Sequence, residues 1–427
     1  MMKTKNNLVQ LVLMSILTVA ATIVFTACSN YMEYDTENQM AAQKSDIVTG
    51  QKRTVLVYMA GRNNLSYFAT LDLEEMKRGS KRLGKDQALL VFMRRSQNGE
   101  EPWLARIEDG QLTGKVTVSE MGIRKDELYA SDPDVMEKVM SYAFSHYPSV
   151  NDDYGLVLWG HAGGWLLQDS VRVETSRGYG VDVGNYIYSS QGKWINIPTM
   201  NQVLSRLPHL KFILADCCNF MCLETLYELR NVADYVIGSP AEIPDTGAPY
   251  EAMAPAMFEA MNYYHAIMEC YQQHTEGNLP LSVVKTSEME HVAQATKKVL
   301  QSIKERNSGY ADLTGLIHYN FLGPDSVCYK EYNIFYDAGH FISRYATTSE
   351  YQEWKKVLDT AVIEKCMAYR WRTGKRWDGH YTDFEMSQEA YHGVSLFVPQ
   401  DPTVKHAEHY ADFNNDIFHM QWQYATR

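Results

Sequence analysis

Residues 211–230, KFILADCCNFMCLETLYELR, set narrow limits on the fold that can contain them. Phe212, Ile213, Leu214 and Ala215 form a short unbroken apolar run, the pattern of a strand buried on both faces of a parallel sheet. Asp216, Cys217 and Cys218 follow at its carboxyl end, and after Asn219 the apolar positions Phe220, Leu223, Leu226, Tyr227 and Leu229 recur at helical spacing. Strand, cysteine and helix are therefore expected in immediate succession, with a thiol where open α/β sheets hold their ligands.

Other segments repeat this alternation. Residues 53–60 (RTVLVYMA), 88–94 (ALLVFMR), 153–159 (DYGLVLW) and 235–238 read as buried strands, with helices over 65–83, 131–146 and 200–207. A hairpin is expected over 103–107 and 110–118, turning at Asp109-Gly110. The fold class that follows is α/β, a mainly parallel sheet flanked by helices. Past Tyr250 the chain reads as more helical, over 251–272, 288–305 and 350–370, with strands at 281–285 and 393–398. Residues 251–427 are expected to complete the domain begun at 53–250 or to form a small subdomain.

The N-terminus reads as targeting sequence. Lys3 and Lys5 precede an apolar run over 8–25, and Phe25-Thr26-Ala27-Cys28 ends it as a bacterial lipobox does. Residues 1–27 are then a lipoprotein signal peptide, Cys28 the lipidated membrane anchor, and 28–52 a polar tether in the cell envelope, periplasmic or surface-exposed. The alternatives are an ordinary signal peptide or an uncleaved membrane helix.

A formal charge of -12, with no long basic runs, excludes a nucleic-acid partner and suits basic substrates. Cys217, Cys218 and Cys222 lack Cys-x-x-Cys pairing and neighbouring histidines, so no metal site is expected, and the scattered remainder forms no disulfide framework.

A second motif, Gly160-His161-Ala162-Gly163-Gly164-Trp165, ends the strand at 153–159. His161 lies 57 positions before Cys218 (161 to 218), the order and gap of the caspase-type arrangement. An imidazole there can take the proton of a thiol nucleophile, and the backbone N–H groups of Ala162 and Cys218 are the natural oxyanion donors. From chemistry alone Cys217 competes with Cys218. Asp216 lies on the same face of an extended segment as Cys218, where it either pairs with a cationic substrate side chain, Arg or Lys, or caps the following helix. Asp245 and Glu242 add negative potential nearby. Residues 166–198 read as a long exposed connection open to proteolytic nicking. His340 reads as structural, and the aromatics of the second half as core rather than a glycan platform.

Together, GHAGGW and ADCCNFMCLETLYELRNVADYVIGSPAEIPDTGAPY resemble the clostripain family of cysteine peptidases. The family pattern falls on His161, Trp165, Asp216, Cys218, residues 227–230, Pro249 and Tyr250. The resemblance is strong over 53–250 and thinner beyond, where 336–341 and 393–399 also resemble family segments. It implies a caspase-like fold and an endopeptidase with Cys218 as nucleophile, His161 as base and Asp216 selecting Arg or Lys before the scissile bond. It also implies activation by cleavage between His161 and Cys218, with Arg172, Arg177 and Lys193 as candidates. Ala162 stands where the family has glycine, Cys217 replaces alanine, and Asn219 replaces an apolar residue. Some members use calcium; no EF-hand spacing is visible, and calcium stays open. The competing expectations are a surface lipoprotein that only binds peptides or glycans, and a thiol hydrolase acting on another acyl bond.

Overall fold

The apolar runs pair side by side into one sheet, seen in a computed structural model that describes residues 50–96, 99–124, 128–167, 178–184, 192–275, 279–319, 334–367, 370–375, 381–401, 403 and 414–427. Its strands are β1 (Arg53–Gly61), β2 (Gln87–Arg95), β3 (Trp103–Glu108), β4 (Gln111–Thr117), β5 (Tyr154–Trp159), β8 (Leu210–Asp216), β9 (Ala233–Gly238), β10 (Leu281–Lys285) and β12 (Val362–Cys366). The order across the sheet is β12-β10-β9-β8-β5-β1-β2-β3-β4. Four pairings, β2 with β1, β1 with β5, β5 with β8 and β8 with β9, are parallel, and the outer strands are antiparallel. Burial on both faces is visible along β1, where Leu56, Tyr58 and Ala60 join one apolar core and Val55, Val57 and Met59 the other.

Helices α1 (Ser66–Ser80), α2 (Pro133–His146), α3 (Ile197–Leu204), α4 (Leu223–Glu228), α5 (Tyr250–Ala256), α6 (Tyr263–His274), α7 (Met289–Arg306), α8 (Ala338–Tyr345), α9 (Thr348–Ala361) and α10 (Gln421–Thr426) complete the frame. Short strands β6 (Tyr179–Asp182) and β7 (Lys193–Ile195), β11 (Tyr336–Asp337) and β15 (Ser395–Leu396), and β13 (Arg370–Lys375) and β14 (Tyr381–Glu385) form three separate pairs. The Asp109-Gly110 turn has both φ angles positive, 49° and 80°, as a tight hairpin of this hand requires.

Several boundaries differ from the sequence expectation. The helix expected at 251–272 breaks into α5 and α6, with Pro255 in the last turn of α5 and Asn262 left-handed (φ 59°) ahead of α6. The helix expected over 350–370 ends at Ala361, and Val362–Cys366 adds an antiparallel edge strand instead. Ladder pairing in 393–398 is confined to Ser395–Leu396. The connection at 166–198 is not exposed throughout. Residues 178–184 are buried, and Tyr179 Oη donates to the carbonyls of Tyr58 and Trp159.

Candidate active site

The five parallel strands read β2-β1-β5-β8-β9 across the sheet, so the chain builds β2 to β4 on one side of β1 and then returns to place β5 on the other. The strand order reverses between β1 and β5, and the carboxyl ends at such a reversal are the position where open α/β sheets bind ligands. Asn64 lies just beyond β1, His161 just beyond β5 and Cys218 just beyond β8. Register brings the last two together. Trp159 is paired with Asp216, and His161 and Cys218 each lie two residues past that pair, on strands about 4.8 Å apart. The Gly160 N–H donates to the Asp216 carbonyl at 3.3 Å, carrying the pairing one step further.

Cys217 and Cys218 separate here. Cys217 is 1% exposed within the core, whereas Cys218 is partly open to solvent. The helix does not begin directly after the cysteine as expected. Asn219 adopts a left-handed conformation (φ 54°), and α4 starts only at Leu223. The intervening turn is tied to the loop after β9, since Asn219 N donates to the Ala241 carbonyl and Met221 N to that of Ser239. The Cys218 thiol itself donates to the Ile243 carbonyl at 3.8 Å rather than to His161. Burial, reinforced by the Glu242 carboxylate, pushes its pKa up.

Burial has the opposite effect on the imidazole, pushing His161 down to about 4, so both partners are neutral at rest. His161 Nε2 donates to Asn64 Oδ1 at 2.7 Å, which leaves the lone pair on Nδ1. The sequence presents Asn63 and Asn64 only as a strand-ending pair, and nothing local to them signals a histidine 97 positions away. Trp194 of β7 stands on another side, its ring centroid 6.5 Å from that of His161. Backbone bonds fix the histidine loop, with Gly180 N donating to the His161 carbonyl and Gly163 N to that of Gly178. The N–H groups of Ala162 and Cys218 have no acceptor among the described residues. Gly164 (φ 58°) passes so close to the cysteine turn that a Cβ there would lie 2.8 Å from the Asn219 carbonyl oxygen.

Asp216 lies behind the rim rather than at its mouth, 4% exposed. Its carboxylate accepts from Tyr271 Oη (2.7 Å), Tyr250 Oη (2.8 Å) and Ala248 N (3.2 Å), so it does not cap a helix. Burial raises its pKa against the pull of the two tyrosines. Asp72 lies beside it, accepting from Trp159 Nε1 at 2.6 Å, and is pushed up to about 8 by burial and then by Asp216. Both carboxylates face Gly247, where a Cβ would sit 3.2 Å from Asp216 Oδ2 and 3.4 Å from Asp72 Oδ2. Asp245 is exposed in the loop after β9, and Glu242 is the acidic group there whose charge acts on Cys218.

Lys193 begins β7, with its carbonyl accepting from Ser131 Oγ and its ammonium 4.2 Å from the Tyr129 ring centroid. Cys28, Arg172 and Arg177 lie outside the described residues. His340 Nδ1 accepts from Ile317 N, a structural bond as expected. Among the described residues no His, Cys, Asp and Glu side chains group as a metal would need, and no helix is long and apolar enough to cross a membrane.

The model of the clostripain family of peptidases matches residues 57–426, nearly the whole of this fold. The chain belongs to the clostripain family. Clostripain of Hathewaya histolytica is 25% identical over 235 residues, a match covering 50% of this chain and 44% of that protein, so the chain spans less than half the length of this curated relative. A secreted C11 cysteine protease from Bacteroides thetaiotaomicron, solved with an irreversible peptide inhibitor, is 30% identical with a TM-score of 0.69, over 88% of this chain and 99% of that one. An inactive zymogen C11 protease from Parabacteroides distasonis is 26% identical with a TM-score of 0.70, over 89% and 99%. The caspase-like α/β fold and the cysteine-peptidase class follow for this family member.

Proposed function

We propose that the chain is a secreted, lipid-anchored cysteine endopeptidase that cleaves after Arg or Lys with Cys218 and His161, and that it is activated by cleavage between them. The observation that carries the dyad is the register: the Trp159–Asp216 pair sets His161 and Cys218 at matching offsets on neighbouring strand ends, while Cys217 is buried. Neutral His161 Nδ1 takes the Cys218 proton as sulfur attacks the substrate carbonyl, and the N–H groups of Ala162 and Cys218 receive the oxyanion. Collapse of that intermediate expels the amine, which takes the proton back from His161, and water then hydrolyses the thioester.

Preference for a cation rests on Asp216 and on Gly247, whose missing side chain leaves that carboxylate approachable. A thiol bonded to Ile243 instead of the imidazole suits a resting zymogen, the state named for the Parabacteroides neighbour. Lys193 is the poorest of the three activation candidates, because its backbone is strand-paired and a peptidase needs an extended, unpaired bond. Anchoring at Cys28 rests on the lipobox-like sequence alone.

The test uses fluorogenic peptides with Arg, Lys, Asp or Leu before the reporter, on wild type, Cys218→Ala, Cys217→Ala and Asp216→Asn. Hydrolysis of the Arg and Lys peptides by wild type and Cys217→Ala, absent in Cys218→Ala, is the expected pattern. Activity that survives Cys218→Ala moves the nucleophile, and an unaltered preference in Asp216→Asn removes the pocket assignment.

A further inference from the structure

We infer that Asn64 is the positioning residue of the catalytic histidine, holding His161 in the tautomer and orientation that present Nδ1 to the thiol; this rests on the His161–Cys218 dyad proposed above. The bond from His161 Nε2 to Asn64 Oδ1 is 2.7 Å and runs from the end of β5 to the end of β1. An amide oxygen can only accept, so the imidazole proton is kept on Nε2. Once Nδ1 has taken the thiol proton, the same contact becomes a charge-assisted bond, so it strengthens on the way to the transition state.

Asn64 is on the exposed rim, and an isolated surface hydrogen bond orients little. Its backbone, however, is held on both sides. Asn63 Nδ2 donates to the carbonyls of Ala60 (2.9 Å) and Val181 (2.8 Å), and Asn63 Oδ1 accepts from Leu65 N (2.8 Å). Val183 N donates to the Arg62 carbonyl, and Arg62 Nε to that of Gly184 at 2.7 Å. Residues 178–184 therefore brace the Asn64 loop, while Gly180 N of the same segment holds the His161 carbonyl. Both ends of the Asn64–His161 bond are fixed by one piece of chain, and a substrate lying over the rim excludes water from it.

The experiment measures kcat, KM and the pH profile on an Arg or Lys fluorogenic peptide for wild type, Cys218→Ala, Asn64→Ala and Asn64→Asp, with thermal melts of each. Asn64→Ala is expected to lower kcat about 10- to 100-fold with KM within about twofold, since the bond gains strength only as charge forms on the imidazole. Asn64→Asp, nearly isosteric, sets a full negative charge on Nε2–H and is expected to move the acid limb of kcat/KM upward by about one pH unit or more. It also covers the case in which the alanine variant fails to fold. A kcat unchanged in Asn64→Ala, or an acid limb unmoved in Asn64→Asp, overturns the inference while an active wild type and a dead Cys218→Ala leave the dyad standing. An inactive wild type, or an active Cys218→Ala, removes the dyad and this inference with it.

Discussion

Glu224 offers a test of how the C-terminal part supports the turn that follows Cys218. It sits in α4, 0% exposed, with Oε1 accepting from Phe397 N at 2.8 Å and Oε2 without a partner among the described residues. Phe397 in turn packs its ring 4.8 Å from that of Trp165, at the end of the histidine loop. Burial raises the Glu224 pKa from 4.5 to about 7, only partly opposed by the bond from Phe397 N. The folded state therefore holds this proton more tightly than the unfolded chain, so the contribution to stability is complete below pH 4.5 and is lost as pH rises through 7. At about 1.4 kcal/mol per pH unit the whole window is worth about 3 kcal/mol, of which about 2–3 kcal/mol falls between pH 5 and pH 8. Glu224→Gln keeps an acceptor for Phe397 N but has no proton to lose. Urea unfolding of both proteins at pH 5 and pH 8 isolates the effect, because other titrating groups cancel in the difference of differences. The variant should gain about 2–3 kcal/mol on wild type between the two pH values. Parallel pH dependence would refute the assignment of a neutral buried carboxyl.

Three further outcomes follow from the site. Mass spectrometry after prolonged alkylation of the folded protein, prolonged because both thiols are held neutral, should find more adduct on Cys218 than on Cys217, and the reverse pattern contradicts the burial difference between the two thiols. A base works only when neutral, and burial pushes His161, the base proposed above, down to about 4, so kcat/KM should hold through pH 6 and fall as pH drops toward that value; an acid limb at pH 6–7 means that the imidazole is solvated. Gly164→Ala places a methyl group 2.8 Å from the Asn219 oxygen at φ 58°, and should cost about 2–4 kcal/mol of stability and lower kcat, measured by urea melts and peptide turnover.

Much of the frame was legible in the residues alone. Unbroken apolar runs at 53–60, 88–94 and 153–159 became strands buried on both faces, because only a sheet covered on two sides tolerates such runs. Asp109-Gly110 turned where its backbone freedom predicts. Residues 178–184 misled in the other direction: Tyr179, Val181 and Val183 alternate as a strand does, but the segment sits inside a polar, glycine-containing stretch that reads as exposed, and its burial against β1 and the histidine loop is a long-range contact. β12 was hidden likewise, since an edge strand directly continuing a helix lacks a punctuating turn.

By itself the sequence determined the strand class, the two motifs and the chemical inventory, because burial and turn preferences are properties of a few neighbouring residues. Tertiary structure alone decided which strand ends meet. The Trp159–Asp216 register, the retreat of Cys217 into the core, the tyrosine shell around Asp216 and the reach of Asn64 to His161 all join residues far apart in the chain, and such pairing is settled only when the sheet closes.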